Sequence, residues 1–259
     1  MNRPAAVAGL FYPANPQELT ILVQQYLEQA NSNTIAPKAI IAPHAGYIYS
    51  GAVAACVYAR LKSVRDNIKR VVLIGPSHRV AFKGLALTQC DYFITPLSQI
   101  AVDNEAIKLL ADLEFVGYLE QAHTHEHCLE VQLPFLQVML ADFEIIPIVT
   151  GDANPEQVCE VIKRLWGGAE TLIVISSDLS HYHAYDKAKQ LDAITSQAIE
   201  HLDYQALNFE SACGRIPISG LLKFAQDNQL AVKKIALCNS GDTAGDKQKV
   251  VGYGCYVIE

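Results

Sequence analysis

The sequence contains no apolar run of the roughly 18 residues that a membrane-spanning helix requires. Its opening stretch, Met1 to Pro13, has no basic head followed by a long apolar segment, so no signal peptide is read there. Stripes of lysine and arginine are missing too. The densest basic run, Lys62 to Arg70, is broken by Asp66, and the net charge is -7 with a pI of about 5.6. That balance argues against a nucleic-acid surface. Seven cysteines are present, at 56, 90, 128, 159, 213, 238 and 255, but no two form a CxxC pair. An odd, scattered set suits reduced thiols better than a disulfide framework. Together these absences predict a soluble cytoplasmic protein with neither a membrane nor a nucleic-acid partner. Repeats, low-complexity tracts and Pro/Gly/Ser-rich linkers are also lacking, so one domain over 1–259 is expected.

What the chain does have is apolar material: 51% of its 259 residues are hydrophobic and 18% charged, enough for a sizeable core. Asn15-Pro16-Gln17-Glu18 reads as a helix start, with Asn15 as cap, Pro16 at the first position and Glu18 where a capping box needs it. That helix is expected to run to about Ala30. Asn154-Pro155-Glu156-Gln157 repeats the signal before a helix from Glu156 to Trp166. Further helical patterns fall at about 52–62, 103–112, 129–140, 187–202 and 217–227. Between them lie short β-branched runs at 39–42, 71–74, 145–149 and 172–175. Apolar runs this short, bounded by Gly, Pro or Ser, mark strands buried on both faces. Val232 to Cys238 and Val250 to Ile258 alternate more and are expected to pair antiparallel at a sheet edge. The result is a three-layer α/β fold with a mostly parallel or mixed sheet flanked by helices.

Three of these strands finish in polar loops that carry histidine: IIAPHAGYIYSG (40–51), VVLIGPSH (71–78) and LIVISSDLSHYH (172–183). In an open α/β sheet, ligands bind beyond the carboxyl ends of the strands. His44, His78, Asp178 and His181 are therefore expected in one cleft. A single histidine near a strand end is usually a hydrogen-bonded structural residue; three endings of the same kind point to a site.

In His123-Thr124-His125-Glu126-His127-Cys128-Leu129-Glu130, a helix starting near His127 would bring Glu130 onto the same face one turn on. A carboxylate there could orient a ligand histidine. For His123 and His125 a polar loop entering an amphipathic helix is the better reading; for Glu126, His127 and Glu130 the two readings stand level. Cys213 lies in the turn Ser211-Ala212-Cys213-Gly214-Arg215-Ile216-Pro217, where an adjacent helix start and an arginine would favour its thiolate. Cys56, Cys159 and Cys255 fall inside helix or strand patterns and read as packing residues. The loop Asn239 to Asp246 fits either a cleft lining, with Asp242 as a hydrogen-bonding residue, or a plain surface hairpin.

These segments together resemble the Memo family, including its bacterial and archaeal members, the B component of the AmmeMemoRadiSam group. The matching stretches are AVAGLFYP (6–13), IIAPHAGYIYSG (40–51), LIGPSH (73–78), TPL (95–97), EHCLEVQLPFL (126–136), PIVTGD (147–152), ISSDLSHYH (175–183), CGRIPISGLL (213–222) and NSGDTAGDKQKVVGYG (239–254). Their ordered combination spans almost the whole chain. The family is similar in fold to class III (LigB-like) extradiol dioxygenases, which hold non-haem Fe(II) with two histidines and a glutamate. The resemblance implies a metal on His44 and His78 with Cys213 as third ligand, and Asp178 and His181 in the cleft. His181 matches the dioxygenases' acid–base histidine. A thiolate in place of the glutamate softens the site, so copper or zinc joins iron as a candidate. It also implies a partner pathway involving radical-SAM proteins.

Three functions follow. Under a redox or oxygen chemistry, His44, His78 and Cys213 hold the metal, Asp178 orients, and His181, an imidazole of ordinary pKa ~6.5, moves the proton. Tyr47, Tyr49 and Tyr182 then form the walls around a small-molecule substrate. Under a zinc hydrolase, the same donors activate a water, with His181 or Glu126 as base. Under a non-catalytic role, loops around Tyr47 and Asp242 bind a peptide or another partner.

Overall fold

The computed structural model describes residues 1–30 and 36–259. In chain order its strands are β1 (Asn2–Arg3), β2 (Ala39–Ala42), β3 (Arg70–Pro76), β4 (Leu85–Leu87), β5 (Tyr92–Ile94) and β6 (Gln99–Ala101). They continue with β7 (Val116–Tyr118), β8 (Glu144–Thr150), β9 (Thr171–Ser176), β10 (His181–His183), β11 (Val232–Asn239) and β12 (Val250–Ile258). β1, β5 and β6 form a small sheet of their own. The other nine form one mixed sheet in the order β10-β12-β2-β9-β3-β8-β4-β7, with β11 also paired to β12.

The centre of that sheet, β2-β9-β3-β8, is parallel throughout. Every residue of β2 and β9 is buried, as is all of β3 and β8 beyond the first residue. Such strands can form only where helices cover both faces, and parallel neighbours require long crossovers. Helices supply both. Those at Pro16–Gln29, Tyr47–Tyr58 and Leu133–Met139 pack on one another, while Pro155–Leu165 and Arg215–Asp227 pair and the latter contacts β3 and β9. Among the described residues no helix is long and apolar enough to cross a membrane.

The helix starts obey their caps. Asn15 Oδ1 accepts from Gln17 N at 2.9 Å and Glu18 N at 3.1 Å. At Asn154 a full capping box forms, with Gln157 returning the bond. The pattern at 103–112 yields one helical turn, Asn104–Ile107, and then a 3-10 turn, Lys108–Leu110. That at 129–140 begins as a 3-10 turn, and the α-helix starts only at Leu133, next to Pro134.

The C-terminal pair is antiparallel, with Val232 opposite Ile258, but the expected edge position holds only for β11. β12 pairs on its other side with β2 and β10, because its residues are buried on both faces. The three-residue strands β4 to β7 and β10 are too short to leave a periodic signal.

Gly84, at φ +80°, opens β4, and its amide bonds Asp152 O at 2.9 Å. A Cβ there would meet the Phe115 carbonyl oxygen at 2.1 Å. Gly84→Ala is expected to destabilise the fold by at least ~1–2 kcal/mol, since left-handed backbone alone costs that much in an L-residue. Urea unfolding should show a lower midpoint at unchanged slope.

Candidate metal centre

β2, β9 and β3 lie side by side and parallel, so their carboxyl ends share one edge of the sheet. His44, Asp178 and His78 each stand two positions beyond the last residue of these strands. Cys213 reaches the same point from another direction. It precedes the helix Arg215–Asp227, whose cap Gly214 packs against β9's loop: a Cβ on Gly214 would sit 2.6 Å from Ser177 Cβ, and its amide donates to Ser177 Oγ at 2.9 Å.

The donor atoms converge. His44 Nε2 and Cys213 Sγ are 3.3 Å apart, and one ligand atom each from His44, His78 and Cys213 lie within 4.8 Å of one another. The far side of each imidazole is already committed. Ser176 Oγ gives its single hydrogen to Cys128 O at 2.6 Å and stands 2.9 Å from His44 Nδ1, so Nδ1 must donate to it. Gln132 Nε2 supports the same hydroxyl at 2.8 Å. Glu126 Oε1 lies 2.9 Å from His78 Nδ1, and a carboxylate only accepts. Both histidines therefore carry a hydrogen on Nδ1, and His44 turns its Nε2 to the Cys213 thiol.

Glu126 is the organising carboxylate. It also accepts from the amides of His78 (2.6 Å), His127 (2.9 Å) and Cys128 (3.1 Å). The His127 ring stands behind it, Nδ1 at 3.2 Å from Oε1, near enough for electrostatic attraction but not aligned as a hydrogen bond. Burial pushes the carboxyl up, but the His127 and His78 groups outweigh it and hold Glu126 well below the usual carboxylate range. Glu126→Gln is expected to weaken metal binding by ~10–100-fold, the usual cost of losing a ligand-orienting carboxylate. Competition against a chromophoric chelator would measure it; unchanged affinity would assign the carboxylate to folding alone.

Burial dominates elsewhere. It drives His44 well below the usual imidazole value, helped by His78 and His127. It raises Asp178, whose Oδ1 accepts the His44 amide at 2.8 Å. The Cys213 thiol is pushed up to about 12, by burial first and Asp178 second. The thiolate stabilisation expected from the helix start and Arg215 is thus outweighed, although the Asp178 amide points at Sγ at 3.3 Å. A thiol and a carboxyl buried together become anionic readily only when a cation arrives beside them.

A cleft of about 810 Å³ opens over this set. His127 and His181 line it, with Phe11, Tyr49, Tyr182 and Phe209 among its walls and Lys249 at the rim. Three expected positions lie elsewhere. Glu130 does not orient a histidine: it is fully buried in an ion pair with Arg3 and accepts from the Ala6 and Val7 amides and the Tyr12 hydroxyl. Tyr47 is a core residue, its hydroxyl donating to Val131 O at 2.7 Å, because its position on the helix faces the core while the next residue, Ile48, is exposed. Asp242 caps its own 3-10 turn by accepting from Asn239 N and bonds the Tyr185 hydroxyl; Asp246, four residues on, lines the cleft. His123 is buried and bonds Ala86 O at 3.1 Å.

Sequence reasoning passed over Ser176, Gln132 and Phe11. Ser176 had a signal, as the last residue of a buried strand. Gln132 had none, since it falls within an amphipathic pattern.

A mixed α/β sheet that delivers two imidazoles and a thiol to one cleft defines the class: an α/β protein with a candidate His2Cys centre beyond its parallel strands. The chain belongs to the Memo-like protein family, whose model matches residues 3–257. It is 37% identical to a MEMO1 family protein of Aquifex aeolicus, covering 97% of each chain. It is 34% identical to one from Sulfolobus acidocaldarius (98% of each) and 32% identical to one from Archaeoglobus fulgidus (99% of each). Among solved structures, uncharacterized protein JW3007 from Escherichia coli K12 shares the fold, with a TM-score of 0.52 and 11% identity over 85% of this chain and 98% of that one.

Proposed function

We propose that the chain holds a redox-active metal ion, iron ahead of copper, on His44, His78 and Cys213, and acts on a small molecule bound in the cleft. The observation that carries this reading is the convergence of one ligand atom each from His44, His78 and Cys213 within 4.8 Å, with the Nδ1 of each histidine already engaged on its far side. The spacing fits as well. Bonds of about 2.0 Å to nitrogen and about 2.3 Å to sulfur at a tetrahedral angle put the two donors about 3.5 Å apart. Here they are separated by 3.3 Å.

A redox metal would supply electron transfer to dioxygen or to the bound molecule. The chain's own groups do the rest. Asp178 fixes the His44 backbone, and His181 stands in the cleft as the proton-transfer group. The same spacing suits zinc and favours a second reading, a hydrolase. Glu126, buried and held well below the usual carboxylate range by its neighbours, is unsuited as its base, which leaves His181.

Metal analysis of protein purified anaerobically separates the two, with oxygen uptake as the follow-up. Stoichiometric iron or copper supports the redox reading, and zinc the hydrolytic one. No metal in a well-folded chain would end both. Cys213→Ser is expected to weaken Cu(I) binding by at least ~10-fold more than Mn²⁺ binding, because a soft ligand selects a soft ion. Equal losses would remove Cys213 from the donor set.

A further inference from the structure

Cys213 is approached from two sides. One is the cleft described above. The other is a second cavity of about 340 Å³, between the loops after β3 and β8 and the start of the helix Arg215–Asp227. Cys213 and Phe209 line both. In the second cavity the hydroxyls are spent: Ser77 Oγ donates to Val80 O at 2.6 Å and Thr150 Oγ1 to Gly75 O at 3.1 Å. Arg215 is not spent. Its guanidinium sits over the Phe209 ring, 3.8 Å from the centroid, and among the described residues makes no side-chain hydrogen bond and no ion pair. Asp152 lines the same cavity and its field reaches Arg215, but it is exposed and outside ion-pair distance.

A guanidinium held on an aromatic face keeps its N–H donors in the plane of the fork, where they match a carboxylate in bidentate fashion. A carboxylate that meets both ends of that fork would make charge-assisted, bidentate hydrogen bonds. Asp152 in the same cavity disfavours a doubly charged ligand. We propose that Arg215 and Phe209 form a carboxylate-binding subsite, and that the small molecule acted on at the centre carries a carboxylate read there. Its chemical purpose rests on the proposed metal centre; the binding itself does not.

Isothermal titration of metal-free protein with benzoate tests this, with benzamide as the neutral isostere and inorganic phosphate as the competing anion. Benzoate is expected to bind with a Kd on the order of 1 mM. Binding should fall at least ~10-fold in Arg215→Gln, fall less in Arg215→Lys, which keeps the charge without the fork, and weaken in Phe209→Ala, which removes an exposed ring. The inference is overturned if benzoate does not bind, if Arg215→Gln binds it as well as the parent, or if benzamide or phosphate binds as tightly. Metal content measured on the same preparations separates the two claims. Benzoate binding through Arg215 in a chain that takes up no metal would sink the centre and spare the subsite; metal uptake without benzoate binding would do the reverse.

Discussion

Alanine at His44 or at His78 is expected to abolish stoichiometric metal binding while the fold stays cooperative. Each residue offers one ligand nitrogen, and removing it leaves a single imidazole and a thiol. His127 is a poor replacement because its ring is turned toward Glu126, Nδ1 at 3.2 Å. Since outer-sphere partners alone are worth ~10–100-fold, loss of a ligand should exceed ~100-fold, or roughly 2.7 kcal/mol. The structural cost is smaller. His78 is partly exposed, and without the His44 ring Ser176 still bonds Cys128 O and Gln132. A loss of ~1–3 kcal/mol is expected at His44, as for one buried polar contact. Chelator competition reads the affinity and urea unfolding the fold. Normal metal content in both variants would end the centre as proposed. Cys56→Ser and Cys255→Ser, at thiols that neighbour each other and belong to no candidate donor group, should leave metal content unchanged; a loss there would mean that another thiol is the ligand.

Glu130→Ala is expected to be the most destabilising single change considered, by ~3–5 kcal/mol, the cost of leaving a buried charge without its partner. Arg3 is 3% exposed and Glu130 is fully buried, so neither can turn to water. The loss also strands the Ala6 and Val7 amides and the Tyr12 hydroxyl. At ~2–4 °C per kcal/mol for a chain of this size, the melting temperature should drop by ~6–20 °C. Metal bound per folded molecule should not change, because Glu130 contacts none of the donor residues. A metal defect in folded Glu130→Ala, at unaltered stability, would restore it to the site and refute this assignment.

The same residue marks where sequence reasoning stops. The four central strands were legible because each is an unbroken apolar run, and His44, His78 and Asp178 were legible because they follow those runs at equal distance. For Glu130 the sequence left two readings level, because helical periodicity offers the face of His127 as one of them. The chain instead turns through Cys128 and enters a 3-10 segment at Glu130, so the expected register never forms. Its real partner, Arg3, lies 127 positions away, and a pairing that distant leaves no local pattern. Tyr47 misled for another reason: its helix is apolar almost all round, so no polar face signals which way the ring points. Ser176 and Glu126, which engage the two Nδ1 atoms, are single polar atoms whose partners come from other strands and loops. Only the folded chain assembles them.

The position of β12 bears on how the molecule comes into being. Strand β2, near residue 40, is held between β9 and β12, and β12 occupies residues 250–258. During synthesis, Ala39–Ala42 therefore waits for nearly the entire polypeptide to leave the ribosome before its second neighbour exists. Contacts so distant along the chain slow folding. A nascent or truncated product that stops short of residue 250 would present an apolar, unpaired strand to its surroundings, the kind of surface that invites aggregation or a chaperone's attention.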